Sequence, residues 1–102
     1  MRYRLSKSAE TDLVEIWDYT ARTWGGAQAA KYLKKLEARF LDLADEPSKG
    51  RPRHDVGLEY LSYHEARHLI FYRPHEKGIV IARILHERMD LAERLEEDPG
   101  LT

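Results

Sequence analysis

Hydrophobic positions alternate with polar ones at the start of the chain and then recur every three or four residues, which predicts a strand followed by helices. Tyr3 and Leu5 flank the polar Arg4, the period of a half-buried strand. Ser6 follows as a natural N-cap, with Asp12 expected near the positive end of the helix dipole. Two apolar stripes with helical spacing come next. They comprise Ala9, Leu13, Ile16, Trp17, Ala21 and Trp24, and then Ala29, Leu33, Leu36, Phe40 and Leu43.

Glycine and proline mark the ends of the two predicted helices. Gly25 and Gly26 end the first helix, and Pro47 with Gly50 ends the second. Because the link between the helices is short, they are predicted to form an antiparallel hairpin. Residues 47–57 hold two prolines and two glycines among basic groups, which predicts a loop.

Four aromatic residues of the helical hairpin are candidates for contact with a partner protein. Trp17 and Trp24 lie on the first apolar stripe, so burial in the core is the favoured interpretation for both. Tyr19 lies about 200° around the helix from Trp17 and is expected on the outside. Tyr32 adds aromatic surface to the second helix. Tyr19 is therefore the strongest candidate for an aromatic contact with a partner helix or strand.

The second half of the chain predicts three strands, over residues 58–63, 67–73 and 79–86. Residues 74–78 form a five-residue connection with a glycine, which predicts a hairpin. Residues 79–82 are apolar on both faces, as expected of a central strand. Residues 90–97 are expected to form a short last helix. The resulting fold is α+β: an N-terminal strand, then an antiparallel helical hairpin packed on a mainly antiparallel sheet that three C-terminal strands complete.

Composition narrows the class of protein. The chain has 102 residues, a length that predicts a single domain over residues 1–102. Hydrophobic residues make up 42% and aromatic ones 10%, too much for a disordered chain. The chain has no cysteine, which excludes disulfides, thiolate zinc sites and cysteine nucleophiles. No apolar run reaches the ~20 residues of a membrane span, and the N-terminus lacks the apolar core of a secretory signal, so we expect a cytoplasmic protein.

The net charge of −1 hides an uneven distribution. Residues 49–88 carry eight basic and five acidic groups, whereas residues 89–102 carry one basic and five acidic. The first segment is either an ordinary solvated surface or a basic face for an acidic partner or a nucleic acid. Candidate contact residues on that face are Arg51, Arg53, Arg67, Arg73, Arg83 and Arg88.

One motif resembles the zinc-peptidase pattern H-E-x-x-H, with His64, Glu65 and His68 in the required positions. That chemistry places both histidines on one helical turn. The segment here leads into a strand, where residues four apart are separated by about 13 Å. We therefore expect no metal site, and no cofactor of any kind.

A ribonuclease-like set of side chains is also present. Arg83 could stabilise a phosphorane and His86 could move a proton, with Tyr72 or His68 on the neighbouring strand. The favoured interpretation of Arg83 is instead an ion pair that attaches the sheet to an acidic residue elsewhere.

Taken together, these residues resemble the ParE branch of the RelE/ParE toxin superfamily. The resemblance runs from about residue 3 to residue 95, and its most specific stretches are His68-Leu69-Ile70-Phe71-Tyr72-Arg73 and Arg83-Ile84-Leu85-His86-Glu87-Arg88-Met89-Asp90. It implies the two-layer fold predicted above. It also implies a non-catalytic toxin of a toxin-antitoxin module, typical of plasmid stabilization.

The resemblance implies two partners. One is a ParD-like antitoxin with a ribbon-helix-helix head, through which alone the toxin would contact DNA. The other is DNA gyrase, the target that the toxin would poison. Two alternatives stay open: an mRNA endoribonuclease of the RelE kind, which would use Arg83, His86 and Tyr72, and a non-toxic module that only binds an antitoxin.

Overall fold

The computed structural model describes residues 3–57, 59–76 and 78–88. Its elements are listed in chain order as β1 (Tyr3–Leu5), α1 (Lys7–Trp24), α2 (Gly26–Asp45), a 3₁₀ turn (Pro47–Lys49), β2 (Arg51–Pro52), β3 (Leu61–Glu65), β4 (His68–His75) and β5 (Gly78–His86). The last helix predicted over residues 90–97 lies outside the described residues. Neither described helix is both long and apolar enough to cross a membrane.

The boundaries of α1 follow from its end residues, as predicted. The Ser6 Oγ accepts a hydrogen bond from the Ala9 N–H at 3.0 Å and donates one to the Ala82 carbonyl at 2.7 Å. The cap therefore also ties α1 to β5. At the other end Gly25 adopts φ 98°, a conformation that favours glycine, and the chain turns there into α2.

The strands form one five-stranded mixed sheet in the order β1-β5-β4-β3-β2. β1 runs parallel to β5, and the other neighbours are antiparallel. β5 lies between β1 and β4 and is buried from Ile79 to Leu85, which confirms the predicted central strand. With α1 and α2 packed on this sheet, the α+β class is confirmed.

Two predictions for the connections were wrong. Residues 47–57 are not entirely loop, because Arg51 and Pro52 pair with β3 as a short edge strand. The β4–β5 connection is also shorter than the predicted five residues, since the pairing continues to His75 opposite Gly78. In both places glycine and proline predicted a loop. The backbone there pairs with a neighbouring strand instead, so the strand extends into the predicted loop.

The main core lies between the helices and the sheet. Its largest fully buried members are Leu36, Phe40, Leu43, Ile70, Tyr72 and Ile81. A smaller cluster joins Phe71 and Ala82 to Val56, Tyr60 and Leu69. Because neighbours along a strand point to opposite faces, Phe71 lies on the other face of the sheet from Ile70.

The predicted burial of the two tryptophans was wrong. Trp17 is 40% exposed and Trp24 is 70% exposed. Each lies about 80–100° around α1 from the buried Ile16, outside the face that meets the sheet. That face includes Asp12, which is buried and lies beyond the first turn of α1.

Candidate functional site

An apolar strip runs along the outer surface of α1. Val14, Trp17 and Trp24 lie on one side of the helix, and Val14 is 60% exposed. We call these three residues the α1 strip. Tyr19 is 64% exposed, as predicted, but lies about 140° around the helix from Trp24. The sequence analysis missed the strip because it assigned the tryptophans to the core.

A groove adjoins the α1 strip where α1, α2 and β1 meet. It has a volume of about 210 Å³ and is lined by Tyr3, Leu5, Leu13, Leu33, Lys34, Glu37 and Phe40. Leu13 precedes Trp17 by one helical turn, so the groove and the strip share one side of α1. Exposed apolar side chains beside a groove are typical of a protein-binding site.

The basic loop is partly neutralised by its own neighbours. The Lys49 Nζ lies 2.7 Å from the Asp42 Oδ1, and this contact holds the pKa of Asp42 below its usual range. The Arg53 Nη2 lies 2.8 Å from the Asp55 Oδ2, and its guanidinium carbon lies 5.0 Å from the centre of the Phe71 ring. Arg51 is exposed on the edge strand β2.

The H-E-x-x-H residues occupy a hairpin, with a turn between the two histidines. Ala66 (φ 53°) and Arg67 form a turn that places His64 on β3 and His68 on β4. The His64 Nε2 lies 2.9 Å from the Glu87 Oε1. Glu65 is buried and accepts a hydrogen bond from the Arg39 Nε at 2.7 Å. Across the described ranges, no three potential metal ligands cluster together.

Arg83 forms the ion pair that the sequence analysis favoured. Its Nε and Nη2 donate to the two carboxylate oxygens of Asp12 at 2.8 and 2.9 Å, and the Ile84 N–H donates to the same carboxylate at 2.9 Å. The pair joins α1 to β5 in the interior. Sequence spacing could not identify Asp12 as the partner, because 71 positions separate the two residues.

The structure does not bring together the three residues of the ribonuclease alternative. Tyr72 is fully buried, and its hydroxyl donates to the Pro47 carbonyl at 2.6 Å. Burial raises the pKa of Tyr72 to about 12. His86 pairs with His68 in the sheet. Tyr72 lies four residues further along β4 than His68, which places it about 13 Å from His68. Tyr72 and His86 therefore occupy different parts of the sheet.

A group of polar side chains does come together at the end of β5. The Tyr32 hydroxyl is 2.6 Å from the His68 Nδ1, and the rings of His68 and His86 have centroids 5.6 Å apart. The Arg88 N–H donates to the His86 Nδ1 at 3.2 Å. Arg67 is exposed in the adjoining turn, and its carbonyl accepts from the Glu87 N–H. We call Tyr32, Arg67, His68, His86 and Arg88 the strand-end cluster.

Of the remaining candidates, Arg73 is half-buried on β4 opposite Val80, in a different part of the sheet from the strand-end cluster. Most of the predicted contact residues thus lie in three places: the outer surface of α1, the loop around β2, and the strand-end cluster. Arg73 on β4 and the buried Arg83 lie outside all three. Whether any of them binds a partner stays a prediction.

Sequence comparisons with known proteins agree on one family, and a structural comparison agrees on the fold. A family model described as the ParE toxin of the type II toxin-antitoxin system parDE matches residues 3–91. The chain is 36% identical over 88 residues to Toxin ParE1 of Caulobacter vibrioides, covering 86% of this chain and 91% of that protein. It is 37% identical over 95 residues to Toxin ParE1 of Mycobacterium tuberculosis, covering 92% and 97%. A solved structure described as the chromosomal ParDE TA system from P. aeruginosa superimposes with a TM-score of 0.71 at 20% identity, covering 84% of this chain and 95% of that one.

Proposed function

The chain belongs to the ParE toxin family of type II toxin-antitoxin systems, and from this premise we propose that it is a growth-arresting toxin that poisons DNA gyrase. A ParD-like antitoxin would hold it inactive in the cytoplasm. The observation that carries the proposal is the family match over residues 3–91, which includes every element of the described fold.

Two contacts support action by binding rather than by catalysis. Arg83 is engaged by the carboxylate of Asp12, so its charge is directed at α1. The Tyr72 hydroxyl donates to a backbone carbonyl in the interior, and its raised pKa keeps it protonated near neutral pH. Neither side chain is available to transfer a proton or to stabilise a transition state on a bound RNA.

The α1 strip and its groove support an antitoxin that binds the helical hairpin. An amphipathic antitoxin helix would place apolar side chains against Trp17 and Trp24 and in the groove beside Leu13. Acidic side chains on such a segment would meet the excess of basic groups in residues 49–88. Because an exposed tryptophan is the side-chain type most often critical at an interface, Trp24 is the primary candidate.

Inducible expression in bacteria tests the toxin proposal. Growth should stop, purified gyrase should accumulate cleaved DNA with the toxin, and ribosome-dependent mRNA cleavage should stay at background. His86→Ala should keep most of its toxicity, since gyrase poisoning requires no proton transfer. If His86→Ala instead lowered mRNA cleavage by the ~10² to 10⁴ typical of a lost acid-base group, at unchanged thermal stability, the ribonuclease alternative would replace gyrase. Unimpeded growth would favour the non-toxic binding module.

Binding of the antitoxin can be tested on two sides of α1. Trp24→Ala should weaken the complex by about 30-fold or more, the loss associated with a critical interface residue. Tyr19→Ala is the matched aromatic variant on the other side of α1. If Tyr19→Ala were the more damaging change in calorimetry, the antitoxin would bind the side of α1 that carries Tyr19, as the sequence favoured.

Charge reversal of Arg53 and Arg67 to Glu tests the electrostatic contribution to antitoxin binding. Equal affinity after reversal would contradict that contribution.

A further inference from the structure

The strand-end cluster contributes only the charge of Arg67 to the proposed function, which gives the cluster's histidines no part. It combines side chains from α2, the β3–β4 turn, β4 and the end of β5, and hydrogen bonds hold two of its members in place. The Tyr32 hydroxyl lies 2.6 Å from the His68 Nδ1, and the Arg88 N–H lies 3.2 Å from the His86 Nδ1. The rings of His68 and His86 meet edge to face with centroids 5.6 Å apart.

The proton positions on His68 follow from its surroundings. Burial, reinforced by the neighbouring His86, lowers the pKa of His68 to about 4, so the ring is neutral near neutral pH. Burial also raises the pKa of Tyr32, so its hydroxyl stays protonated near neutral pH, and we assign this hydroxyl as the donor to the His68 Nδ1. A neutral imidazole that accepts at Nδ1 carries its proton on Nε2. His68 therefore presents an Nε2–H donor.

His86 presents a similar group, because its Nδ1 accepts the Arg88 N–H. With that nitrogen engaged as an acceptor, the ring proton lies on Nε2. Two neighbouring imidazole N–H donors are thus presented side by side. Both residues are half-buried, so each keeps part of its surface in contact with solvent.

The carboxylates around the cluster already have partners. Asp12 is bound by Arg83, Glu65 accepts from Arg39, and Glu87 contacts His64 at 2.9 Å. Arg67 and Arg88 are exposed and make no ion pair within the part of the chain that the structure describes. The cluster therefore combines two exposed arginines, neither of which pairs with a carboxylate of the described residues, with two imidazole donors.

We propose that the strand-end cluster binds a phosphate group, with Arg67 and Arg88 supplying charge and His68 and His86 donating hydrogen bonds. Guanidinium groups match the geometry and charge of phosphate oxygens, and donors to an anion make stronger hydrogen bonds than donors to a neutral acceptor. Tyr32 acts as a positioning residue that holds the His68 tautomer. The phosphate is either free in solution or part of a nucleic-acid backbone.

Titration of the purified chain with inorganic phosphate, at constant ionic strength set with chloride, tests this site. Long-range proton–nitrogen NMR spectra of the imidazoles report the tautomer of each histidine and its response. Saturable shifts are expected at His68 and His86, and His54 and His75 serve as internal controls on the same chain. Equal shifts at all four histidines, or none that saturate, would overturn the proposal.

Variants separate the roles of the cluster members. Arg67→Gln should weaken phosphate binding about tenfold, the effect of one lost charge-assisted hydrogen bond. Arg51→Gln, an exposed arginine on the edge strand β2, should leave it unchanged. Tyr32→Phe should alter the nitrogen shifts of His68 before any phosphate is added, which a purely packing role would not do. Equal losses in Arg67→Gln and Arg51→Gln would refute the site.

A short single-stranded DNA oligonucleotide identifies the source of the phosphate. Tighter binding of the oligonucleotide than of inorganic phosphate, with the same two histidines responding, assigns the site to a nucleic-acid backbone and adds a direct contact that the family resemblance does not imply. Binding of inorganic phosphate alone assigns it to a free anion. These readouts require neither gyrase nor antitoxin, so they stand or fall separately from the proposed function.

Discussion

Removing the carboxylate of Asp12 is the most direct test of how α1 is attached to the sheet. The side chains of Asp12 and Arg83 are only 7% and 11% exposed. Three hydrogen bonds meet at the carboxylate, two from Arg83 and one from the Ile84 N–H. Asp12→Ala therefore removes the counter-ion of a buried guanidinium and the acceptor of a buried N–H in one step.

The expected loss follows from these contacts. Breaking a buried ion pair by removing one partner costs about 3–5 kcal/mol. We expect Asp12→Ala to lower the free energy of unfolding by about 4 kcal/mol, a large share of the 5–15 kcal/mol typical of a small domain. For a chain of this size that corresponds to a fall of roughly 20 °C in melting temperature.

Urea unfolding followed by circular dichroism at the helix band is the suitable assay, because Trp17 and Trp24 are exposed and report the core poorly. The control is the double variant Asp12→Leu with Arg83→Met, which removes both charges and keeps apolar volume. It should regain the part of the stability that the uncompensated buried charge costs, but not the part that the Ile84 N–H loses with its acceptor. A loss below about 1 kcal/mol in Asp12→Ala, or a double variant no more stable than the single one, would refute the reasoning.

The double variant also separates two explanations for Arg83 in toxicity. We expect Arg83→Ala to lose much of its toxicity, either because the sheet is weakened or because a contact with the target is lost. A double variant that folds and stays toxic would assign Arg83 a structural role. One that folds without toxicity would assign it a contact with the target.

Three further predictions concern single contacts. Gly50→Ala should lower the urea midpoint, because a Cβ there would overlap the Tyr72 hydroxyl oxygen. An unchanged midpoint would show that the ring can move aside. His68 has a folded-state pKa of about 4 against 6.5 when unfolded, so the unfolded chain binds more protons between these values. Melting temperature should therefore fall as pH drops from 6.5 toward 4, and His68→Gln should flatten that slope; an identical slope in the variant would contradict this assignment. Ser6→Ala should cost about 1–2 kcal/mol by thermal unfolding, because it loses both the helix cap and the bond to Ala82, and a loss near zero would argue against the cap.

Local signals in the sequence determined the order and type of most elements. α1 begins after Ser6 and ends before Gly25, and both signals are local. The Ser6 hydroxyl caps the first turn, and Gly25 tolerates the positive φ at which the helix ends. Residues 79–82 are all apolar, and this run predicted a central strand. A central strand is covered on both faces of the sheet, so it carries apolar side chains on both. The resemblance to ParE toxins likewise depended on residue order alone, and the family match confirmed it.

Tertiary structure decided what depends on partners distant in the chain. A hydrophobic pattern sorts positions by residue type, so it assigned Trp17 and Trp24 to the core and gave Asp12 no part in it. The structure leaves the tryptophans exposed, because the sheet offers no covering surface on their side of α1. It buries Asp12, because Arg83, 71 positions away, supplies the opposite charge. The strand-end cluster has the same origin, since Tyr32 and His68 become neighbours only when α2 packs against β4. Long-range pairing of this kind has no periodic signature along a chain, so the chemistry it creates could be found only in the folded molecule.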